Sequence, residues 1–173
     1  MMRNFFWGVI FTLIVIAIGG YLILQGGYVN FGADAPPSSL EKKIATGASD
    51  ASIARHAPQM ANPLTPTDEN LLAGARLYRD NCAGCHGDPA NMDSSLGDSF
   101  NPPAPAFLMD KPDMPEYQNF YIIRHGIRWS AMPSWKGKFN DTQTWQVVTL
   151  LSHIDKLPPA VDQELQKAPA STN

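Results

Sequence analysis

Apolar and polar positions follow very different rules in different parts of this chain. From Phe5 to Leu24 twenty residues run almost without polar interruption, and no charged residue occurs between Asn4 and Ala33. At roughly 1.5 Å of rise per residue, a helix of that length spans about 30 Å, the thickness of a bilayer's hydrocarbon core. Nothing polar recurs at helical spacing inside the run, which predicts a membrane span rather than a buried core helix. Trp7 near one end and Tyr21 and Tyr28 toward the other suit interfacial positions. Arg3 and the amino terminus are the only positive groups nearby, so the N-terminus is expected in the cytoplasm and everything after about residue 30 outside. A cleaved signal peptide competes with this reading, because Ala33-Asp34-Ala35 looks like a cleavage triplet. The apolar run is too long for it, exceeding the roughly 7–15 residues of a signal core, and Pro36 follows the triplet directly. Residues 1–33 are expected to be a retained anchor.

Beyond the span the pattern is helical. Residues 34–66, rich in Ala, Pro and Ser, read as a tether. Leu40, Ile44 and Ala48 have the spacing of a short amphipathic helix, weakened by Gly47 and the serines. Pro58, Pro63 and Pro66 exclude a continuous helix into the next element. Thr67 then caps a helix with Asp68 and Glu69 in its first turn and Leu71, Ala75 and Tyr78 on one face. It runs into CAGCH at 82–86.

Residues 87–112 are punctuated by Pro, Gly and Asp and read as irregular loop. A second helix is expected from about Asp113, with Glu116 as capping-box partner, a stripe of Tyr117, Phe120 and Tyr121, and Gly126 as terminator. The loop GIRWSAMPSWKGKF follows. A third helix begins near Asn140–Asp141, with Val147, Leu150, Leu151 and Ile154 at i, i+3, i+4 and i+7, and Pro158 and Pro159 end it. No segment alternates with period two. The fold class is all-α: a helical domain over 67–157, preceded by a single transmembrane helix and a tether, and followed by a polar tail over 158–173.

Composition narrows the function. With 16 acids against 13 bases, a net charge of −3 and a pI near 5.7, there is no electrostatic case for nucleic acid. Cys82 and Cys85 are the only cysteines, which excludes a disulfide-rich scaffold. They belong to Cys82-Ala83-Gly84-Cys85-His86, the C-x-x-C-H signature of c-type haem attachment. Two thiols one turn apart can add to the two vinyl groups on one porphyrin edge, and the next residue brings an imidazole under the iron. A covalent haem also answers a size problem. Residues 67–157 hold three short helices and long loops, a marginal apolar core unless the cofactor completes it.

Other readings of the motif fare worse. A thioredoxin-like pair needs a βαβ setting. A zinc site would have to recruit two ligands from His56, His125 and His153, whose spacings match no common zinc motif. A local disulfide leaves the adjacent histidine unexplained. One covalent haem c is the expected cofactor.

On these segments the chain resembles the small class I monohaem c-type cytochromes. The resemblance covers about residues 67–157 and rests on GARLYRDNCAGCHG (74–87), the prolines of NPPAPAFL (101–108), GIRWSAMPSW (126–135) and TWQVVTLLSHIDKLP (144–158). It implies three to five helices around one haem, with the first and last helices crossing at a small residue. Gly74 and Tyr78 match the first helix's contact positions, whereas Leu151 stands where the family often has an aromatic. It also implies that a proline-rich loop, here 102–105, supplies a carbonyl to the second nitrogen of His86.

Candidates for the remaining axial position are Met60, Met92, Met109, Met114, Met132, His56, His125 and His153. Met132 differs from the others: it follows His86 by 46 residues, in a loop between helices, with Gly126 before it and Pro133 and Trp135 after. The segment is similar to the family's ligand loop, so Met132 is favoured and His125 comes next. A thioether ligand raises the potential relative to bis-histidine, and two filled axial positions leave no open site for substrate. Trp129, Trp135 and Trp145 have two readings, pocket lining and ordinary core packing.

Charges are segregated too. Residues 88–116 hold six acids and one base, and residues 117–140 hold Arg124, Arg128, Lys136 and Lys138 with no acid. The basic block brackets Met132, which points to a docking face for an acidic redox partner; a merely solvated loop is the alternative. The function expected is a non-enzymatic, membrane-anchored electron carrier. Its haem domain would lie in the periplasm or an equivalent compartment, serving redox proteins of a respiratory chain and no small-molecule substrate. It would pass electrons from a quinol-oxidising complex or dehydrogenase to a terminal oxidase or reductase. A fixed subunit of a larger respiratory complex, and less favourably a haem sensor or peroxidase-like enzyme, are the alternatives.

Overall fold

In a computed structural model that describes residues 2–168, every named element is a helix, and the only bridge outside them joins Asp88 to Asn91. The chain divides into two units, one up to Ala35 and one from Pro36 onward. The first is built on α1 (Met2–Gln25), which is long and apolar enough to cross a membrane and has no buried residue. The Thr12 hydroxyl donates to the Gly8 carbonyl at 2.9 Å, so it adds no unpaired polar group to the helix. Tyr28 and Phe31, just past the helix, are 83% exposed.

The second unit begins earlier and ends later than the sequence predicts. The sequence points to a tether over 34–66, whereas the structure has α2 (Ser39–His56) in that segment. Ser38 and Glu41 close a full capping box, which offsets the cost of Gly47 and the serines. Ile53 and Ala57 at its far end are buried, and the helix packs on α6 (Glu116–His125). Leu40, Ile44 and Ala48, whose spacing points to a helix, are instead exposed. Residues 57–66 then run without helix, and the Asn62 amide donates to Thr149 at 2.9 Å.

At the other end, the sequence predicts a polar tail from 158. The structure has α8 (Pro159–Leu165), with Val161, Glu164 and Leu165 buried. Only two apolar residues define its face, too short a pattern to read as periodic. It packs on α3 (Asp68–Asn81), where Arg79 meets Glu164 at 2.5 Å.

The core lies where α3 crosses α7 (Asp141–Ser152) and α6 packs on α7. At the crossing there is no room for a side chain on α3: a Cβ on Gly74 would overlap the Gln146 carbonyl and come within 3.1 Å of Leu150 Cβ. Thr67 caps α3, as its sequence predicts, and Asn140 with Gln143 forms the capping box of α7. Phe120 and Trp145 stack at 4.3 Å between α6 and α7. The start of α6 differs from expectation. Its N-cap is Pro115 rather than a residue near Asp113, because a proline disfavours helical conformation at the residue before it, here Met114.

Candidate haem site

The C-x-x-C-H segment continues directly from the core helix. Cys82 caps the end of α3, its N–H donating to Tyr78 at 2.7 Å, and α4 (Ala83–His86) turns the following residues through one more helical turn. His86 N–H donates to the Cys82 carbonyl at 2.9 Å, which fixes the imidazole's place relative to both thiols. Gly87 ends the turn at φ +87°, where a Cβ would also overlap the Met92 carbonyl. The buried Tyr78 hydroxyl donates to the carbonyls of Gly87 at 2.9 Å and His86 at 3.1 Å. Burial raises its pKa, with Cys82 and Asp88 adding to the effect, so it remains a donor across the physiological range.

His86 Nδ1 lies 2.8 Å from the Pro105 carbonyl, inside the 102–105 segment that the resemblance implies. A carbonyl can only accept, so the imidazole carries its proton on Nδ1 and leaves the Nε2 lone pair free. Burial lowers the His86 pKa, opposed by this hydrogen bond, which favours the neutral ring. Phe107 stacks on it at 4.5 Å.

How the Pro105 loop is held is visible only in the structure. Ser94 Oγ donates to the Gly84 carbonyl at 2.6 Å and accepts from Gly97 N–H at 3.1 Å, capping α5 (Ser95–Asp98). Ala104 N–H then donates to the Gly97 carbonyl at 3.0 Å. A Cβ on Gly97 would overlap the Cys85 carbonyl, so only glycine lets α5 approach the motif this closely. The one available signal was a serine ahead of a short S-L-G-D stretch, too common to single out.

Both cysteines are free thiols and half-buried. Burial pushes the Cys82 thiol up to about 12, with Cys85 adding and Lys138 opposing. Among the described residues no group of three or more His, Cys, Asp or Glu comes together.

Across the domain, Gly126 closes α6 at φ +69° and starts the 126–139 loop. Ile127 N–H donates to the Met132 carbonyl at 3.1 Å, and Met132 N–H donates to Ser130 Oγ at 3.1 Å. Trp135 and Lys136 N–H groups donate back to Ile123 and Arg124, both at 3.1 Å. The loop is thus held at both ends. Met132 is half-buried against the same core cluster as Cys82, Phe107 and Trp135.

The other axial candidates are placed differently. Met60, Met92 and Met109 are 43%, 48% and 65% exposed. Met114 is half-buried but is not among the residues packed on that cluster. His56 and His153 bond the carbonyls of Ser52 and Thr149 on their own helices. His125 is exposed beside Tyr121, with its pKa lowered by desolvation and then by Lys136 and Arg124.

The tryptophans divide as well. Trp145 and Trp135 stack on Phe120 and Phe139 and serve the core, whereas Trp129 is 91% exposed. Of the four bases around Met132, Arg124 is paired with Asp141. A cavity of about 470 Å³ between Met60–Pro66, Glu116–Tyr117 and Thr149–His153 includes none of Cys82, Cys85, His86 or Met132.

The residues present fit a haem c: two unpaired thiols one turn apart, and an adjacent neutral imidazole with its second nitrogen already engaged. Comparison of the sequence with a family model and a curated relative agrees. Residues 69–151 match the family described as cytochrome c oxidase, cbb3-type, subunit III. Over 90 residues the chain is 32% identical to the Cbb3-type cytochrome c oxidase subunit FixPc of Rhizobium leguminosarum bv. viciae, covering 51% of this chain and 29% of that protein. The chain thus spans under a third of that relative's length. Among solved structures, a chain of the Kuenenia stuttgartiensis reducing HAO-like protein complex is similar at 20% identity and a TM-score of 0.44, covering 56% of this chain and 50% of the other. The region that carries the C-x-x-C-H turn is a c-type cytochrome domain, similar over residues 69–151 to cbb3-type oxidase subunit III, bearing one covalent haem c.

Proposed function

We propose that the chain is a membrane-anchored, single-haem electron-transfer protein with Cys82 and Cys85 as attachment residues and His86 and Met132 as axial ligands. The anchor is α1, its N-terminus cytoplasmic and the haem domain periplasmic or in an equivalent outer compartment. The observation that carries the reading is Met132: of the methionine candidates it alone packs against the core cluster that includes Cys82 and Phe107. When bound, the haem supplies a reversible one-electron couple.

The chain's own residues do the rest. Cys82 and Cys85 would hold the haem permanently through thioether bonds, the S–H of each thiol adding across one vinyl group. The Pro105 carbonyl holds the Nδ1 proton of His86 and raises the basicity of Nε2. Met132 would supply a soft thioether donor that favours ferrous iron, and together with His86 it would leave no open site for substrate. No side chain need act as acid, base or nucleophile.

The donor would be a quinol-oxidising complex or dehydrogenase and the acceptor a terminal oxidase or reductase. The similarity to a subunit of a cbb3-type oxidase favours a second reading, a fixed subunit of such a complex. Blue-native electrophoresis of membranes in mild detergent separates the two.

The ligand assignment is tested by the visible spectrum of the oxidised protein. The weak sulfur-to-iron band near the red end is expected in the wild type and absent from Met132→Ala, which should also bind carbon monoxide fast and completely when reduced. A variant that keeps the band rules out Met132. Fast, complete carbon monoxide binding by the wild type itself would favour a sensor or peroxidase-like enzyme.

A further inference from the structure

Trp129 combines three properties in one residue. It is 91% exposed, the highest value among the large exposed hydrophobic residues of the described chain. It is also the one non-glycine described residue at positive φ, +59°, a conformation that bulky side chains rarely adopt. Third, the Arg128 guanidinium lies over its ring at 6.0 Å.

Nothing in its packing accounts for this. Trp135 and Met132 in the same loop are half-buried against the core, whereas Trp129 projects away from that cluster. The loop is nevertheless tied by its own hydrogen bonds. Ser130 N–H and Ser130 Oγ both donate to the Ile127 carbonyl, at 3.2 and 2.8 Å, and Ile127 N–H donates to Met132. A backbone over-determined by its own hydrogen bonds thus holds a large apolar ring in water, in a strained conformation. Such strain gathers at sites that bind something.

The surroundings indicate what binds. Arg128, Lys136 and Lys138 are exposed and have no carboxylate partner among the described residues, while the fourth base, Arg124, is taken by Asp141. Lys138 lies 5.1 Å from the Trp135 ring, so the basic groups are interleaved with aromatic surface. Tryptophan and arginine are the side chains that most often dominate protein interfaces, and unpaired bases around them select an acidic partner.

We propose that Trp129, with Arg128 over its ring, is the anchor by which this loop grips an acidic protein partner, the indole entering an apolar hollow rimmed by carboxylates. The inference rests on the electron-transfer reading above, and the partner is the redox protein that this reading requires. It adds a contact that salt does not screen, because burial of an indole depends on area rather than charge.

The test uses the full-length holoprotein as the sole copy in its native membranes, following haem reoxidation by the respiratory chain after a pulse of oxygen. Trp129→Ala should slow reoxidation at least about tenfold at both low and high salt. Trp129→Phe should recover most of the rate, and Lys136→Gln should slow it at low salt only. Trp129→Ala should leave the visible spectrum, the midpoint potential and the rate of oxidation by ferricyanide unchanged.

A wild-type rate in Trp129→Ala overturns the anchor while leaving the carrier reading intact. So does a variant whose spectrum or ferricyanide rate changes in parallel, which places Trp129 against the haem. Loss of binding to phosphatidylglycerol vesicles with unaltered reoxidation overturns it in favour of a lipid surface. Wild-type haem that the respiratory chain never reoxidises defeats the carrier reading itself, and the anchor with it.

Discussion

The Ser94 hydroxyl donates to the Gly84 carbonyl at 2.6 Å, tying the loop that carries Pro105 to the backbone of the C-x-x-C-H turn. A closed circuit results. From Gly84 it passes through Ser94 to Gly97, from Gly97 to Ala104, and from Pro105 back to His86 Nδ1. The orientation of the imidazole is therefore set by the same short segment that positions the thiols.

Ser94→Ala opens that circuit. Ser94 is 6% exposed and its oxygen serves two backbone groups, so the substitution leaves the Gly84 carbonyl and Gly97 N–H without their partner. The expected loss of stability is about 1–3 kcal/mol, read from chemical denaturation of the haem-loaded protein. A looser Pro105 carbonyl makes His86 a weaker donor, which disfavours ferric iron. The midpoint potential should rise, and Ser94→Thr, which keeps the hydroxyl, should restore it toward wild type. A potential unchanged in Ser94→Ala would show that His86 is oriented without the latch.

Gly74→Ala tests the helix crossing. On an exposed helix this substitution stabilises by about 1 kcal/mol. Here the new Cβ meets the Gln146 carbonyl, which is backbone and cannot rotate away, and Leu150 Cβ at 3.1 Å. The helices must separate, and the variant should lose about 1–3 kcal/mol in denaturant titrations. An increase in stability would mean that α3 and α7 cross elsewhere.

Much of this arrangement was legible in the sequence because the signals were local. Thr67 and Asn140 cap helices within three residues of themselves, and the α7 pattern repeats over two turns. The C-x-x-C-H spacing carries its chemistry within five residues. What stayed hidden depends on distant partners. α8 is held by Arg79, 85 residues away in sequence, and the Ile53 end of α2 by its packing on α6. Neither contact leaves a periodic trace in its own segment. The link from Ser94 to Gly84 crosses only ten residues, but serine caps are too frequent to be informative alone. Trp129 illustrates a different limit: a sequence reports an aromatic residue without its φ angle, and exposure is what separates it from Trp135 and Trp145.

The Glu164 cluster makes the docking of α8 dependent on pH. Glu164 is 5% exposed and receives Lys167 at 2.6 Å and Arg79 at 2.5 Å, with Arg76 at 3.6 Å. The hydrogen bond from Lys167, against the cost of burial and with help from Arg79, holds its carboxyl below the usual glutamate range. A folded-state pKa lower than the unfolded one means that the carboxylate's contribution is complete above the unfolded value, about 4.3, and disappears as pH falls through the folded one. Thermal stability should therefore decline on acidification below about pH 5. Glu164→Gln should melt at a lower temperature than wild type at pH 7, because Arg79, 11% exposed in its side chain, loses a charged partner while Asp80 remains. The two proteins should converge as the medium becomes acid, since protonation does to the wild type what the substitution has already done. Melting temperatures recorded across that range check both statements. A gap that stays constant down to about pH 3 would show that the Glu164 carboxyl titrates alike in the folded and unfolded chain, so that its charge does not hold α8.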